Sequence, residues 1–301
     1  MESGYKDMNT NRIFISLPII LFSIVLTACG GGGGGDGPPP ITYTGSSTPA
    51  NIDSTNAKEL SGGATQLGEF GGAGLTAAVD TGSQQKKSGT SILSQAAVKA
   101  INNKLNAELS STATIHNFSE TMQGTCGGSL SSNLDADDAL STLSVSGTLR
   151  FNDYCENGAT ISGQFNLSGS VNASVTSMNF TMSTSSILIR DNASSDVYKA
   201  ENYALTVMAN LNSSGIITST TVSIKGRFYD PLYGYVLVTT PSVLHYSGSS
   251  AWPDSGSIKI AEDGGVNSAT LSVYAPDPTQ YQLEVNIGGK ITTTTGNWAE
   301  L

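Results

Sequence analysis

The sequence predicts a mainly β protein: a large curved antiparallel sheet, an open barrel or a sandwich, with one amphipathic helix. Three observations carry that expectation. Apolar and polar residues alternate with a period of two through the second half of the chain. Turn-forming clusters separate the alternating runs. No helical pattern lies between those runs, which disfavours the crossover units of a parallel sheet. Strict alternation wets one face and buries the other. The buried face must then be covered by curling, by a second sheet layer or by the helix.

The elements follow in chain order. Ile13 to Leu26 is apolar apart from Ser16, Pro18 and Ser23. That is too short to span a bilayer, which takes about 20 residues, and suits the apolar core of a secretory signal. Gly30 to Asn56 is Gly, Pro, Ser and Thr with few apolar residues, and reads as a flexible tether. Residues 57–90 stay Gly-rich, as loop or as a weak strand pair. Ser91 to Leu109 is the predicted helix: Leu93, Ala97, Ile101, Leu105 and Leu109 trace one face, with Thr90 or Ser91 as N-cap. Strands follow at Leu143–Phe151, Ile161–Val175, Met178–Met182, Tyr203–Val207, Val222–Phe228, Leu271–Val273 and Tyr281–Ile287, with shorter ones around Val236 and Ile258. Asn157-Gly158, Asp191-Asn192, Asn212–Gly215, Asp263–Gly265 and Pro276–Pro278 mark the turns. The expected organisation is a signal over 1–28, a tether over 29–56 and a single β-rich domain over 57–301.

At the end of the apolar run stand Leu26, Thr27, Ala28 and Cys29. This tetrad resembles the lipobox of bacterial lipoproteins at all four positions. The resemblance implies that Cys29 is diacylated on sulfur, that the signal is cut before it, and that the new amino terminus is acylated too. Several acyl chains anchor stably where one binds only marginally. Gly30 follows, rather than the Asp that retains enteric lipoproteins at the inner membrane. The resemblance therefore implies a cell-envelope protein held at the outer membrane, with the periplasmic or surface-facing side left open. Glu2 and Asp7 offset Lys6 and Arg12, whereas a start at Met8 leaves a purely basic leader; Met8 is the expected initiator. A looser resemblance lies near the end. Trp252 to Ile260, Gly264-Gly265 and Asn297 to Leu301 are similar to C-terminal segments of uncharacterised proteobacterial β-rich envelope lipoproteins. It carries no catalytic residue.

With Cys29 lipidated, Cys126 and Cys155 remain as an even pair in an oxidising compartment, and a disulfide is the expectation. The competing reading is a redox or metal-binding pair. Against it stand the absence of a CxxC and the presence of only two histidines. The formal charge of −10 opposes binding to phosphate backbones, so nucleic acid is not an expected partner. Only 13% of residues are charged, so solubility comes from hydroxyls and amides rather than from ions.

The search for chemistry returns weak patterns. No G-x-S-x-G elbow occurs. Ser83-x-x-Lys86 and Lys87-Ser88-Gly89 have the spacing of penicillin-recognising enzymes, but they overlap in one polar loop. Asn133 to Asp138 offers alternating oxygens, as a calcium loop does, yet lacks its Gly and its final Glu. A solvated acidic turn or helix cap is the plainer reading. His116 and His245 stand singly. Asp153 with Glu156, and Glu262 with Asp263, are carboxylate pairs of the kind glycosidases use, placed at turns. Phe228, Tyr229, Tyr233 and Tyr235 cluster around Pro231, as a ligand-stacking patch or as ordinary strand aromatics. No dinucleotide or phosphate-binding fingerprint is present, and no catalytic, metal or cofactor set is expected. The leading expectation is therefore a non-enzymatic, lipid-anchored envelope protein that binds or scaffolds other envelope proteins. The alternatives are a periplasmic carrier of lipid or another apolar ligand, and a hydrolase with unrecognised motifs. A transmembrane barrel should show aromatic girdles, which the strands lack.

Overall fold

The computed structural model describes residues 40–69, 116–139, 142–156, 158–172, 176–212, 217–248, 250 and 252–301. The lipobox with Cys29, the expected helix over 91–109 and the Ser83–Gly89 motifs lie outside them. Among the described residues the chain forms one α-helix, α1 (Ala57–Glu69), twelve strands and a closing 3-10 turn at Trp298–Glu300. The strands are β1 (His116–Gln123), β2 (Ser129–Ala139), β3 (Thr142–Glu156), β4 (Ala159–Asn172), β5 (Ser177–Asp191) and β6 (Val197–Leu211). They continue with β7 (Ile217–Asp230), β8 (Gly234–Ser247), β9 (Ser255–Ala261), β10 (Ser268–Val273), β11 (Gln280–Ile287) and β12 (Lys290–Asn297). All twelve form a single antiparallel meander in sequence order, and β1 and β12 remain its two edges.

Alternation dictates which face is buried. Val145, Leu149 and Phe151 on β3, Ile161, Phe165, Leu167 and Val171 on β4, and Leu283 and Val285 on β11 all turn into one continuous apolar core. Burying a side chain of this size contributes about 1.5–3 kcal/mol. The alternation changes phase part-way along several strands. On β5, Phe180 and Met182 are buried, and further along Ile187 and Ile189; on β6, Ala200 is buried, and then Tyr203 and Leu205. The β5 change falls at an irregularity in its ladder to β4 and the β6 change at one in its ladder to β7, because one extra residue moves every later side chain to the other face. These irregularities sit side by side. The pairs Phe151↔Gly163, Gly163↔Ile187, Ile187↔Ala200, Ala200↔Phe228 and Phe228↔Val236 place them at one height across β3 to β8. Bulges bend a strand and increase its twist, so this row is where the sheet curves. Asp153 and Asn202, two bulge residues, adopt left-handed φ values of 47°.

Three strands depart from expectation. Asn133 to Asp138 is neither a calcium loop nor a turn but the middle of β2: Leu134 and Ala136 are buried, and Asn133, Asp135 and Asp137 point to solvent. β1 and β12 fall outside the expected strands, since neither has a clear alternating apolar face. β8 runs through Pro241, which sits where its ladder to β9 is irregular and no donor is missed.

Helix α1 stands where a loop or a weak strand pair is expected. Ala57, Leu60, Ser61, Ala64 and Thr65 are buried and fall at helical spacing on one stripe. The stripe packs against β7, β9 and β10. Asp53 caps the start: its Oδ1 accepts the Thr55 and Asn56 amides at 2.7 and 3.1 Å. The Asn56 side chain returns the bond by accepting the Asp53 amide at 3.0 Å. Gly62 and Gly63 weaken helix propensity, which hid this segment in the sequence. Packing explains them, since a Cβ at Gly63 would strike the buried Phe228 ring.

The body therefore begins before residue 57. Residues 40–56, expected as the end of the tether, lie against the sheet, with Ile41, Ala50 and Ile52 buried.

Candidate functional site

The most elaborate polar site is the rim where residues 40–52 cross the sheet. The β1–β2, β3–β4, β5–β6, β7–β8 and β9–β10 connections all lie at this end, as the meander requires. The segment is strapped to them in turn. The Ile41 amide donates to Asp153 Oδ1 at 3.3 Å, and the Ser46 amide to the Pro231 carbonyl at 3.2 Å. Pro49 forms a parallel bridge to Tyr235: the Tyr235 amide donates to Thr48 O at 3.0 Å, and the Ala50 amide to Tyr235 O at 2.8 Å. The Ile52 amide then donates to Glu262 Oε1 at 2.7 Å.

Beneath the strap lies a ladder of tyrosines and charges on the face opposite the core. Lys199, Tyr229 and Tyr235 are cross-strand neighbours on β6, β7 and β8, and Glu201 stands opposite Arg227. The Tyr229 and Tyr235 rings are 5.0 Å apart, and Tyr43 of the strap meets Tyr229 edge-on at 5.9 Å. Lys199 pairs with Glu201 and sits 4.7 Å from the Tyr229 ring centre. Tyr229 donates to Glu201 at 2.5 Å. Arg227 lies over Tyr235 at 5.0 Å and bonds Asp263 at 3.0 Å, and Tyr235 donates to the same carboxylate at 2.7 Å. Burial first, then the Glu201 bond, pushes the Tyr229 phenol up to about 12. Burial and the Asp230 charge push Tyr43 up to about 12. Burial alone would raise Glu201, but the bonds from Lys199 and Tyr229 outweigh it and hold the carboxyl below its usual range. Each cation in the ladder faces its own anion, and each phenol stays protonated. The arrangement fastens segments together.

The other carboxylates singled out from sequence have similar employment. Asp153 holds the strap, while Glu156 accepts the Tyr154 hydroxyl. Glu262 holds Ile52 and Asn267, while Asp263 serves Arg227 and Tyr235. Neither pair converges on a common space. The aromatic cluster around Pro231 is likewise divided. Phe228 faces the core and stacks on Tyr198, and Tyr233 donates to Glu59 of α1 at 2.5 Å. Tyr229 and Tyr235 occupy the opposite face, under the strap. No single stacking platform results.

Cys126, in the β1–β2 connection, meets Cys155 near the end of β3 in a disulfide with Cα atoms 5.1 Å apart. Backbone bonds frame it on both sides, from Cys126 N to Cys155 O and from Cys155 N to Gly127 O. His116 opens β1. His245 meets Asp254 through Nδ1 at 2.5 Å, and Ser247 donates to the same carboxylate. The serine thus bonds the acid rather than the imidazole, which is not the order of a nucleophile and its base. Among the described residues no group of three or more His, Cys, Asp or Glu is placed to hold a metal ion.

A groove of about 500 Å³ opens beside the strap, lined by Pro40, Ile41, Thr42, Arg190, Asn192, Ser195 and Val197. It is open and of mixed polarity, unlike the closed apolar chamber a lipid carrier needs. Sequence reasoning missed Tyr43, Lys199, Glu201 and Arg227. The available signal was the apolar trio Ile41, Tyr43 and Ile52 inside an otherwise small and polar segment.

No family model, no curated protein and no solved structure matches this chain.

Proposed function

We propose that the protein is a lipid-anchored component of the bacterial cell envelope, acylated on Cys29 and held at the outer membrane, which binds or scaffolds other envelope proteins without catalysing a reaction. The lipobox resemblance at Leu26–Cys29 motivates the anchor. The observation that carries the scaffolding reading is the strap. A segment close behind Cys29 in sequence is bonded to the β3, β7–β8 and β9–β10 ends of the sheet. A sheet tethered through one rim keeps its broad polar surface available to partners. The charges of the rim ladder are matched internally, which leaves the Ser- and Thr-rich sheet surface as the face for partners.

The test is replacement of Cys29 by Ala in the full chain, followed by acyl labelling and membrane fractionation. The wild type should take up label and sediment with the outer membrane, and the variant should do neither. Equal labelling of the two would refute the anchor. Crosslinking in intact envelopes, followed by purification, tests the scaffold. Recovery of the same envelope proteins from wild type, and their loss from the variant, is the expected result.

A further inference from the structure

We propose that β12 is a self-pairing edge: two copies of this chain join antiparallel through their β12 strands, about a two-fold axis at Thr293. Among the described residues β12 pairs with β11 alone, so its other side is an open ladder. Its residues are exposed on both faces, Gly296 alone being half-buried. Edge strands are ordinarily protected by charge, proline, a bulge or shortness. β12 is eight residues long, has neither Pro nor acid, pairs without a register shift, and carries its one charge at its first position, Lys290. Its centre, Ile291 to Thr295, is β-branched throughout, the composition that suits a strand best.

Symmetry and charge select a second copy as the occupant. Two identical antiparallel strands in one continuous sheet are related by a two-fold normal to that sheet. Residues directly opposite then share a face, so the axis passes through a residue rather than between two. Placed at Thr293, it sets Thr292 against Thr294, Ile291 against Thr295 and Lys290 against Gly296. Thr–Thr and Ile–Thr neighbours are favourable cross-strand pairs. The two lysines lie at opposite ends of the seam, each facing a glycine. Glu284, opposite Thr293 on β11, is the nearest acid on that face. Its symmetry mate is three strand spacings away, about 14 Å, beyond the screening length at physiological salt. No like charges meet, although the chain carries −10 overall. Ile291, 55% exposed, gains cover from the partner's Thr295. So short a seam buries less than a standard interface, so the dimer forms with concentration.

Thr293 is exposed, so its replacement leaves the fold intact. In the full-length protein expressed in cells, Thr293→Cys should oxidise to a disulfide-linked dimer, because the residue at the axis faces itself. Gln282→Cys, one strand inward, should remain monomeric. In detergent, the wild-type mass should double as concentration rises. Thr293→Lys, which sets two ammonium groups against each other, should stay at monomer mass. Absence of a Thr293→Cys dimer together with a wild-type mass fixed at the monomer would overturn the proposal. So would a Thr293→Cys adduct to a different protein, which would make a partner's strand the occupant.

Discussion

The Tyr43 hydroxyl lies 2.9 Å from the main-chain carbonyl of Asp230, a residue 187 positions away in sequence. It also lies 2.8 Å from the Ser46 carbonyl, so one phenolic hydrogen is shared between a turn in the strap and β7. Tyr43→Phe should cost about 1 kcal/mol, the net value of a typical hydrogen bond. Tyr43→Ala should cost more, because the edge contact with Tyr229 and the Lys199 contact go with it. Local opening should precede global unfolding. Amide exchange at Ser46, Ala50 and Ile52 should accelerate before the melting temperature falls far. Unchanged exchange there would contradict the fastening role.

The Cys126–Cys155 bridge closes a loop with a sequence separation of 29. In the chain-entropy model such a loop is worth about 3–4 kcal/mol. A Cys126→Ser, Cys155→Ser double variant should show that loss in urea midpoint. Reductant should lower the wild type toward it and leave the variant unmoved.

Two carboxylates should give opposite pH slopes. Burial raises Asp230, outweighing the Tyr233 and Leu232 amides that bond it. A raised acid binds its proton more tightly when folded, so its stabilising share is complete below the unfolded value near 4 and is lost as pH rises through the folded one. Asp230→Asn keeps an acceptor for those amides and removes the charge. It should raise the urea midpoint at about pH 7, and the gain should shrink in acid. Asp254 is the reverse. Burial would raise it, but bonds from Ser247 and His245 outweigh burial and lower it. Its share is complete above the unfolded value and is lost as pH falls through the folded one. Asp254→Asn should destabilise at neutral pH, with the difference fading in acid.

Leu60 is fully buried on the stripe that α1 presents to the sheet. Leu60→Ala should cost about 2–5 kcal/mol through lost burial and the cavity left behind. Replacing Lys58, on the outer face of the same helix, should change stability by less than about 0.5 kcal/mol, since its contact with Glu300 is long and exposed. Paired thermal melts of the two variants separate the faces of the helix.

The sequence by itself determined the class of fold, because a period of two is a local property. Val145, Leu149, Phe165 and Leu167 alternate with polar neighbours whatever they pack against, and Asn212–Gly215 and Pro276–Pro278 break the chain where the strands do turn. It also singled out Cys126 and Cys155, since an even pair needs no geometry to be recognised. Local pattern misled where packing overrode propensity. The acids of β2 looked like a turn because only two apolar residues, Leu134 and Ala136, alternate with them. The glycines of α1 looked like loop because their use, a close approach to Phe228, lies far along the chain. Tertiary structure alone decided the strap and the ladder under it. Their defining bonds join residues 112, 187 and 210 positions apart, and no local periodicity records such separations. It alone decided also that the aromatics around Pro231 divide between two faces. Successive strand residues point to opposite sides, so Phe228 turns to the core and Tyr229 to the strap.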